Sequence, residues 1–358
     1  MDGVFTGQAP LTLRSEGAVC DNPPASSTPL GPRTDPMLRD GKLRTIGYLR
    51  LSLTPACHMR CVYCRPGFHR NNPRNLLEAE EIEPMVRHLA ATHGVRKVRL
   101  TGGDPTARSG LTEIIRRVAG VEGVQEVAMT TNGLLLGTRA QEYRDAGLRR
   151  VNISLDSLDP ERFHRMTGLD QLDRVVEGID AALEAGLEPV RINTVVLQGE
   201  NEEELPGLVA FALDRGVEIR FIELMPMGPL APKWKERYVP APRMQEVLNP
   251  HVREWTRLPQ GSESATRFRV TLQDGRQGTV GFITPMSCNF CAACDRIRIT
   301  ADGTFYPCLM DRPGGSLMPA LRPTFDPELF DELLVRGLSG KAAEHPAEGF
   351  AIMTNIGG

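Results

Sequence analysis

From residue 48 onward the chain alternates short apolar strands with amphipathic helical stretches, and the strands have two unlike faces. They read YLRLSLT (48–54), KVRLTGG (97–103), EVAMTTNG (126–133), RVNISLD (150–156), VRINTVV (190–196) and EIRFIELM (218–225). Six βα units in series predict a parallel sheet or a curved (β/α) barrel. A parallel strand covered on both faces normally reads as continuous apolar sequence. Here Arg50 and Ser52 alternate with Leu49, Leu51 and Leu53, while Lys97, Arg99 and Thr101 alternate with Val98 and Leu100. Asn152, Ser154 and Asp156 alternate with apolar neighbours, as do Arg191 and Asn193. If the apolar faces pack under helices, the polar faces line a wet, basic lumen suited to an anionic ligand. A sheet with one solvent-facing side is the plainer alternative, but βα alternation normally covers both faces.

The 358 residues carry 42 Lys plus Arg against 45 Asp plus Glu, a net charge of −3. That balance argues against a general nucleic-acid binder, though it permits a local basic cavity. No apolar run approaches the ~20 residues a bilayer span needs. The opening MDGVFTGQAPLTLRSEG has neither a basic nor an apolar signal region, so a cytoplasmic protein without a membrane partner is expected. Residues 1–35, rich in Pro, Ser, Gly and Thr, are expected to be a disordered tail. The barrel is expected over 36–235. A second unit is expected over 236–358, where Asp274-Gly275 and Asp302-Gly303 mark hairpin turns.

Eight cysteines add a chemical constraint. Without an export signal, clustered thiols point to metal rather than to disulfides. Cys57, Cys61 and Cys64 form C-x3-C-x2-C at the end of the first strand. Three thiolates in one compact loop suit a four-iron cluster with one open iron. Zinc is the alternative, although His58 is poorly placed as a fourth ligand. Cys291, Cys294 and Cys308 form the second group, with the last two bracketing the Asp302-Gly303 hairpin. Cys288 would complete a four-thiolate zinc set there, and this alternative stays open. Cys20, in the tail, reads as a bystander thiol.

The first motif, with Tyr63 before its last cysteine, resembles the signature of the radical S-adenosylmethionine (SAM) superfamily. LTGGDP (100–105) is similar to that superfamily's GGEP motif, with Asp104 in place of Glu. The combination with MTTNG, VNISLD, EIRFIELM, CDRIRITADGTFYPCL and a terminal Gly357-Gly358 resembles the GTP 3′,8-cyclase family, from about residue 38 to 358. Pro55-Ala56 replaces the family's Asp-Arg, Arg191 its usual Lys, and Cys288 is extra.

The resemblance implies a partial (β/α)6 radical SAM barrel with a C-terminal, hairpin-rich auxiliary-cluster domain. It implies two [4Fe-4S] clusters, held by Cys57, Cys61 and Cys64 and by Cys291, Cys294 and Cys308. It implies SAM contacts from Tyr63, Gly102, Gly103, Asp104, Ser154 and Met225. GTP contacts would come from Arg50, Lys97, Arg99, Thr130, Arg191, Arg296 and Arg298. Arg296, Arg298, Gly357 and Gly358 would serve catalysis. The implied reaction cleaves SAM to a 5′-deoxyadenosyl radical, removes the ribose 3′ hydrogen of GTP and joins that carbon to guanine C8. This is the first step of molybdenum cofactor biosynthesis. An external reductant of flavodoxin or ferredoxin type and a downstream cyclic pyranopterin monophosphate synthase are the implied partners, and a homodimer is one option. The rivals are a two-cluster radical SAM enzyme acting on another substrate, such as a peptide, and a zinc-stabilised binding protein without catalysis.

Overall fold

The computed structural model describes residues 19–20, 37–64, 75–346 and 356. The strands are β1 (Tyr48–Ser52), β2 (Lys97–Thr101), β3 (Glu126–Thr131), β4 (Arg150–Ser154), β5 (Arg191–Val196), β6 (Glu218–Glu223), β7 (Val252–Arg257), β8 (Ala265–Leu272), β9 (Gln277–Ile283), β10 (Arg296–Ile299), β11 (Thr304–Tyr306) and β12 (Gly315–Ser316). The helices are α1 (Ala79–His93), α2 (Leu111–Ala119), α3 (Leu136–Asp145), α4 (Pro160–Thr167), α5 (Leu172–Glu184), α6 (Leu205–Asp214), α7 (Trp234–Arg237), α8 (Ala241–Leu248), α9 (Met318–Leu321) and α10 (Pro327–Ser339).

Among the described residues, all twelve strands form one sheet in the order β12-β11-β10-β1-β2-β3-β4-β5-β6-β9-β8-β7. β1 to β6 are parallel neighbours, as the six βα units require. The C-terminal hairpins extend both edges of this array. β10 adds in parallel to β1, and β9 adds in parallel to β6. The hairpins turn where expected, with Gly275 and Gly303 at positive φ.

The apolar strand face is the core. Leu49, Leu51, Val98, Leu100, Val151 and Ile153 are fully buried, together with Met85, Val86 and Leu89 of α1 and Ile115 of α2. Truncating one such leucine to alanine costs about 2–5 kcal/mol. The other face stays polar because the register aligns it. Arg50 stands between Arg298 and Arg99, Asn152 beside Arg191, and Asn193 beside Arg220.

One expectation for the tail needs correction. Cys20 is no bystander: it forms a disulfide with Cys288, with the Cα atoms 5.4 Å apart. Val19 is buried, and its amide donates to Gln245 Oε1 at 3.2 Å. Sequence spacing could not reveal a pair separated by 268 residues. In this pairing the Cys288 sulfur is bonded to Cys20 and not turned to the second cysteine group. No described helix is long and apolar enough to cross a membrane.

Candidate active site

The first cysteine loop leaves β1 and is clamped on two sides. The Arg60 and Val62 amides donate to Thr167 O and Met166 O at 2.7 and 2.9 Å. The Gly103 and Asp104 amides donate to Thr54 O and Ala56 O at 2.7 and 2.8 Å. A Cβ on Gly103 would lie 2.4 Å from Ala56 O and 2.5 Å from Pro55 O. The glycine therefore lets the end of β2 lie directly against the cysteine loop. Tyr63 packs with Met166, Leu197 and Leu224, and Cys61 and Cys64 rest on this patch. The Tyr63 hydroxyl donates to Asp156 Oδ2 at 2.7 Å, while Val195 N donates to Asp156 Oδ1 at 2.9 Å. Burial raises the Cys61 thiol well above its ordinary range, with the charge of Asp156 and the neighbouring thiols adding to the effect. A bound metal would stabilise the thiolate at this position. Asn132 Nδ2 donates to Cys57 Sγ at 3.7 Å.

The polar strand face lines one cavity. Arg50, Arg99, Arg150, Arg191 and Arg220 enter from β1, β2, β4, β5 and β6, and Arg296 and Arg298 enter from β10. Three carboxylates, Glu223, Glu263 and Asp295, reach the same wall, so the cavity is strongly cationic. Some of this charge is tied down: Arg150 pairs with Glu126 at 2.7 Å, and Glu218 pairs with Arg191 at 3.1 Å and Arg220 at 2.5 Å. Arg99 Nη1 donates to Thr130 Oγ1 at 3.0 Å. Arg50 Nε and Arg220 Nη2 are buried without a hydrogen-bond partner, while Arg296 Nε lies 3.2 Å from Asp295 Oδ1 as an ion pair. Burial first, and the Arg298 charge second, pull the Arg50 pKa well below its ordinary value. Burial likewise brings Arg298 and Arg220 down to about 10. An anion in the lumen would supply the missing acceptors and relieve the crowding of like charges.

Cys291, Cys294 and Cys308 lie on the same wall, along with Tyr63 and Met225. Cys294 leads into β10, and the hairpin to β11 returns Cys308 beside it. Lys341, buried to 4% exposure, donates from Nζ to Cys294 Sγ at 3.5 Å and to Arg296 O at 2.6 Å. Burial opposes ionisation of Cys294, but Arg296 and Lys341 outweigh it and lower its pKa. Burial raises that of Cys291.

The lumen unites Arg50, Lys97, Arg99, Thr130, Arg191, Arg296 and Arg298 with Tyr63 and Met225. Gly102, Gly103, Asp104 and Ser154 are not among its lining residues. Asp104 has another role. Its carboxylate accepts from Thr106 N at 2.9 Å, Asn132 N at 2.6 Å and Thr131 Oγ1 at 3.0 Å, and also from the Thr106 hydroxyl. These bonds let it position the Asn132 loop. Gly357 and Gly358 lie outside the described residues. Tyr48, Arg150 and Arg220 were missed, although each shares the parity of the expected lumen residues. Asn132 and Lys341 carry no such signal, because only the folded chain brings them to the sulfurs.

Residues 51–212 match the Radical SAM superfamily, and residues 217–347 match Molybdenum Cofactor Synthesis C. The chain is 42% identical over 312 residues to a GTP 3′,8-cyclase of Pelotomaculum thermopropionicum, covering 86% of this chain and 95% of that protein. It is 39% identical over 329 residues to the GTP 3′,8-cyclase of Heliobacterium modesticaldum, covering 89% and 99%. It is 41% identical over 310 residues to GTP 3′,8-cyclase 1 of Pseudomonas aeruginosa, covering 86% and 93%. The crystal structure of Streptococcus suis SuiB bound to precursor peptide SuiA shares the fold, with a TM-score of 0.57, 15% identity and coverage of 85% and 72%. With its two-faced strands, its cysteine loop and this breadth of identity, the chain belongs to the radical SAM superfamily and, within it, to the GTP 3′,8-cyclase family.

Proposed function

We propose that the arginine lumen binds GTP and that the chain converts it to (8S)-3′,8-cyclo-7,8-dihydroguanosine 5′-triphosphate, the first step of molybdenum cofactor biosynthesis. The observation that carries this reading is the convergence of buried guanidiniums, some with unpartnered nitrogens, on one cavity lined by Cys291, Cys294 and Cys308 and by Tyr63 of the first cysteine loop. A triphosphate is the kind of ligand that such a field accommodates.

The donor sets fit iron–sulfur clusters better than zinc. Sulfurs on a tetrahedral zinc sit roughly 3.8 Å apart, given Zn–S bonds of about 2.3 Å. Among the described residues, neither trio brings its three Sγ atoms within 4.8 Å of one another. Cys57, Cys61 and Cys64 would hold the cluster that binds SAM, and Cys291, Cys294 and Cys308 would hold an auxiliary cluster facing the purine. When bound, the first cluster and SAM supply a one-electron cleavage that delivers a 5′-deoxyadenosyl radical.

The protein's own residues position the reactants and exclude water. Arg50, Arg99 and Arg298 neutralise phosphate oxygens, and Thr130 fixes Arg99. Arg296, stacked over Phe290 with 5.1 Å to the ring centroid, is placed at the auxiliary trio. Asp156 holds Tyr63 at the cysteine loop, and Leu197 and Leu224 shield that loop from solvent. This reading also calls for a flavodoxin- or ferredoxin-type reductant, a cytoplasmic setting and a downstream cyclic pyranopterin monophosphate synthase. Anaerobic incubation with SAM and dithionite tests it. Deoxyadenosine release should rise on adding GTP and fall at least ~10-fold in Arg50→Ala. Release that ignores GTP would overturn the assignment.

A further inference from the structure

Outside the lumen, α1 and α10 bring together a second set of ligand atoms. His88 and His93 of α1 each place Nε2 beside Asp331 Oδ1 of α10, at 2.7 and 2.6 Å. All three ligand atoms lie within 4.8 Å of one another. The imidazoles are largely covered, at 15% and 12% exposure, whereas the carboxylate is 34% exposed. Phe325 and Phe330 meet the His88 ring edge-on, at centroid distances of 5.5 and 5.8 Å, and hold it from behind. His88 Nδ1 lies 3.4 Å from Thr92 Oγ1, which fixes the ring so that Nε2 faces the carboxylate.

We propose that His88, His93 and Asp331 form a divalent-cation site of the zinc class, independent of both cysteine trios. Two imidazoles and one carboxylate are a borderline-soft nitrogen and oxygen set that suits zinc, and the open side of Asp331 leaves a fourth position for water. Ligand atoms on a tetrahedral ion with bonds of about 2.0 Å lie roughly 3.3 Å apart. Metal entry therefore needs an outward shift of about 0.6 Å by the carboxylate, the member with most room. The ion would fasten α10 to α1. α10 runs through Gly340 into Lys341, whose Nζ reaches Cys294, so the site braces the segment that delivers this cation to the second trio.

The test is zinc titration into the anaerobic, cluster-loaded enzyme after treatment with a chelator. We expect one zinc per chain and an X-ray absorption shell of nitrogen and oxygen at about 2.0–2.1 Å, without sulfur. His93→Ala should weaken binding more than ~100-fold, beyond the usual effect of losing an outer-shell partner. Asp331→Asn, which preserves side-chain shape, should weaken it at least ~10-fold while cluster iron is unchanged. Zinc should raise the Tm of the parent protein and not that of His93→Ala. Failure to bind zinc, a sulfur shell near 2.3 Å, or equal binding by both variants would overturn the proposal.

Discussion

Tyr48 reports directly on the field inside the lumen. Its hydroxyl accepts from Arg99 Nε. Burial would raise its pKa, but Arg99, Arg50 and Arg150 outweigh burial and lower it to about 8. Burial pushes the other four tyrosines, Tyr63, Tyr143, Tyr238 and Tyr306, upward, so Tyr48 titrates well apart from them. A tyrosinate difference spectrum between the parent protein and Tyr48→Phe should show a midpoint near pH 8. GTP should move that midpoint up, because its phosphates neutralise the guanidiniums that stabilise the phenolate. By linkage, GTP affinity should weaken as pH rises through about 8. A midpoint near the ordinary value of about 10, unmoved by GTP, would contradict this account. Lys341 offers a second probe at this scale. If the auxiliary trio holds a cluster, Lys341→Met removes a cation 3.5 Å from one ligand sulfur and destabilises the reduced state. The potential of that cluster, followed by EPR-monitored titration, should fall by roughly 60 mV, equivalent to ~1.4 kcal/mol for one electron. An unchanged potential would show that the ammonium does not act on the cluster.

The first cysteine loop depends on how closely β2 approaches it. Gly103→Ala places a Cβ 2.4 Å from Ala56 O, and backbone on that side has no flexible end to yield. The variant should lose at least ~2 kcal/mol of stability. It should also lose iron from the cluster at Cys57, Cys61 and Cys64, as read by iron content and EPR on matched preparations; full iron content would contradict the packing argument. The strands themselves were legible in the sequence, because period-two alternation fixes which side chains share a face. Arg50, Arg99 and Arg191 followed from that rule, and Tyr48, Arg150 and Arg220 obey it equally. The partial neutralisation by Glu126 and Glu218 was not legible, since pairing across neighbouring strands depends on register. The protein partners of Asp104 were not legible for a related reason: its motif position suggested a ligand contact, and only the folded chain shows that Thr106, Thr131 and Asn132 reach its oxygens.

Over the whole molecule, the net charge of −3 conceals a separation of charge. Seven arginines converge inside the sheet, while many exterior arginines pair with acids along helices, as in Arg117 with Glu113 and Arg139 with Glu142. The C-terminal strands complete this arrangement by adding to both edges of the six-stranded array, so Arg296 and Arg298 enter the lumen from the far side of β1. The hairpins were readable from Asp-Gly turns, but their edge positions were not, since local turns do not specify which distant strand they join. The same limit hid the Cys20–Cys288 pair. Cys288→Ala should release the segment at Cys20 yet keep the full iron content of the parent enzyme; loss of iron would make Cys288 a ligand after all. The central claim is that this lumen holds GTP for hydrogen abstraction from its ribose. The most direct measurement is anaerobic turnover with SAM, dithionite and GTP deuterated at the ribose 3′ carbon, followed by mass spectrometry of the released 5′-deoxyadenosine. The account predicts deoxyadenosine carrying one deuterium, formed together with a cyclised triphosphate. Unlabelled deoxyadenosine, or labelled deoxyadenosine without that product, would contradict it.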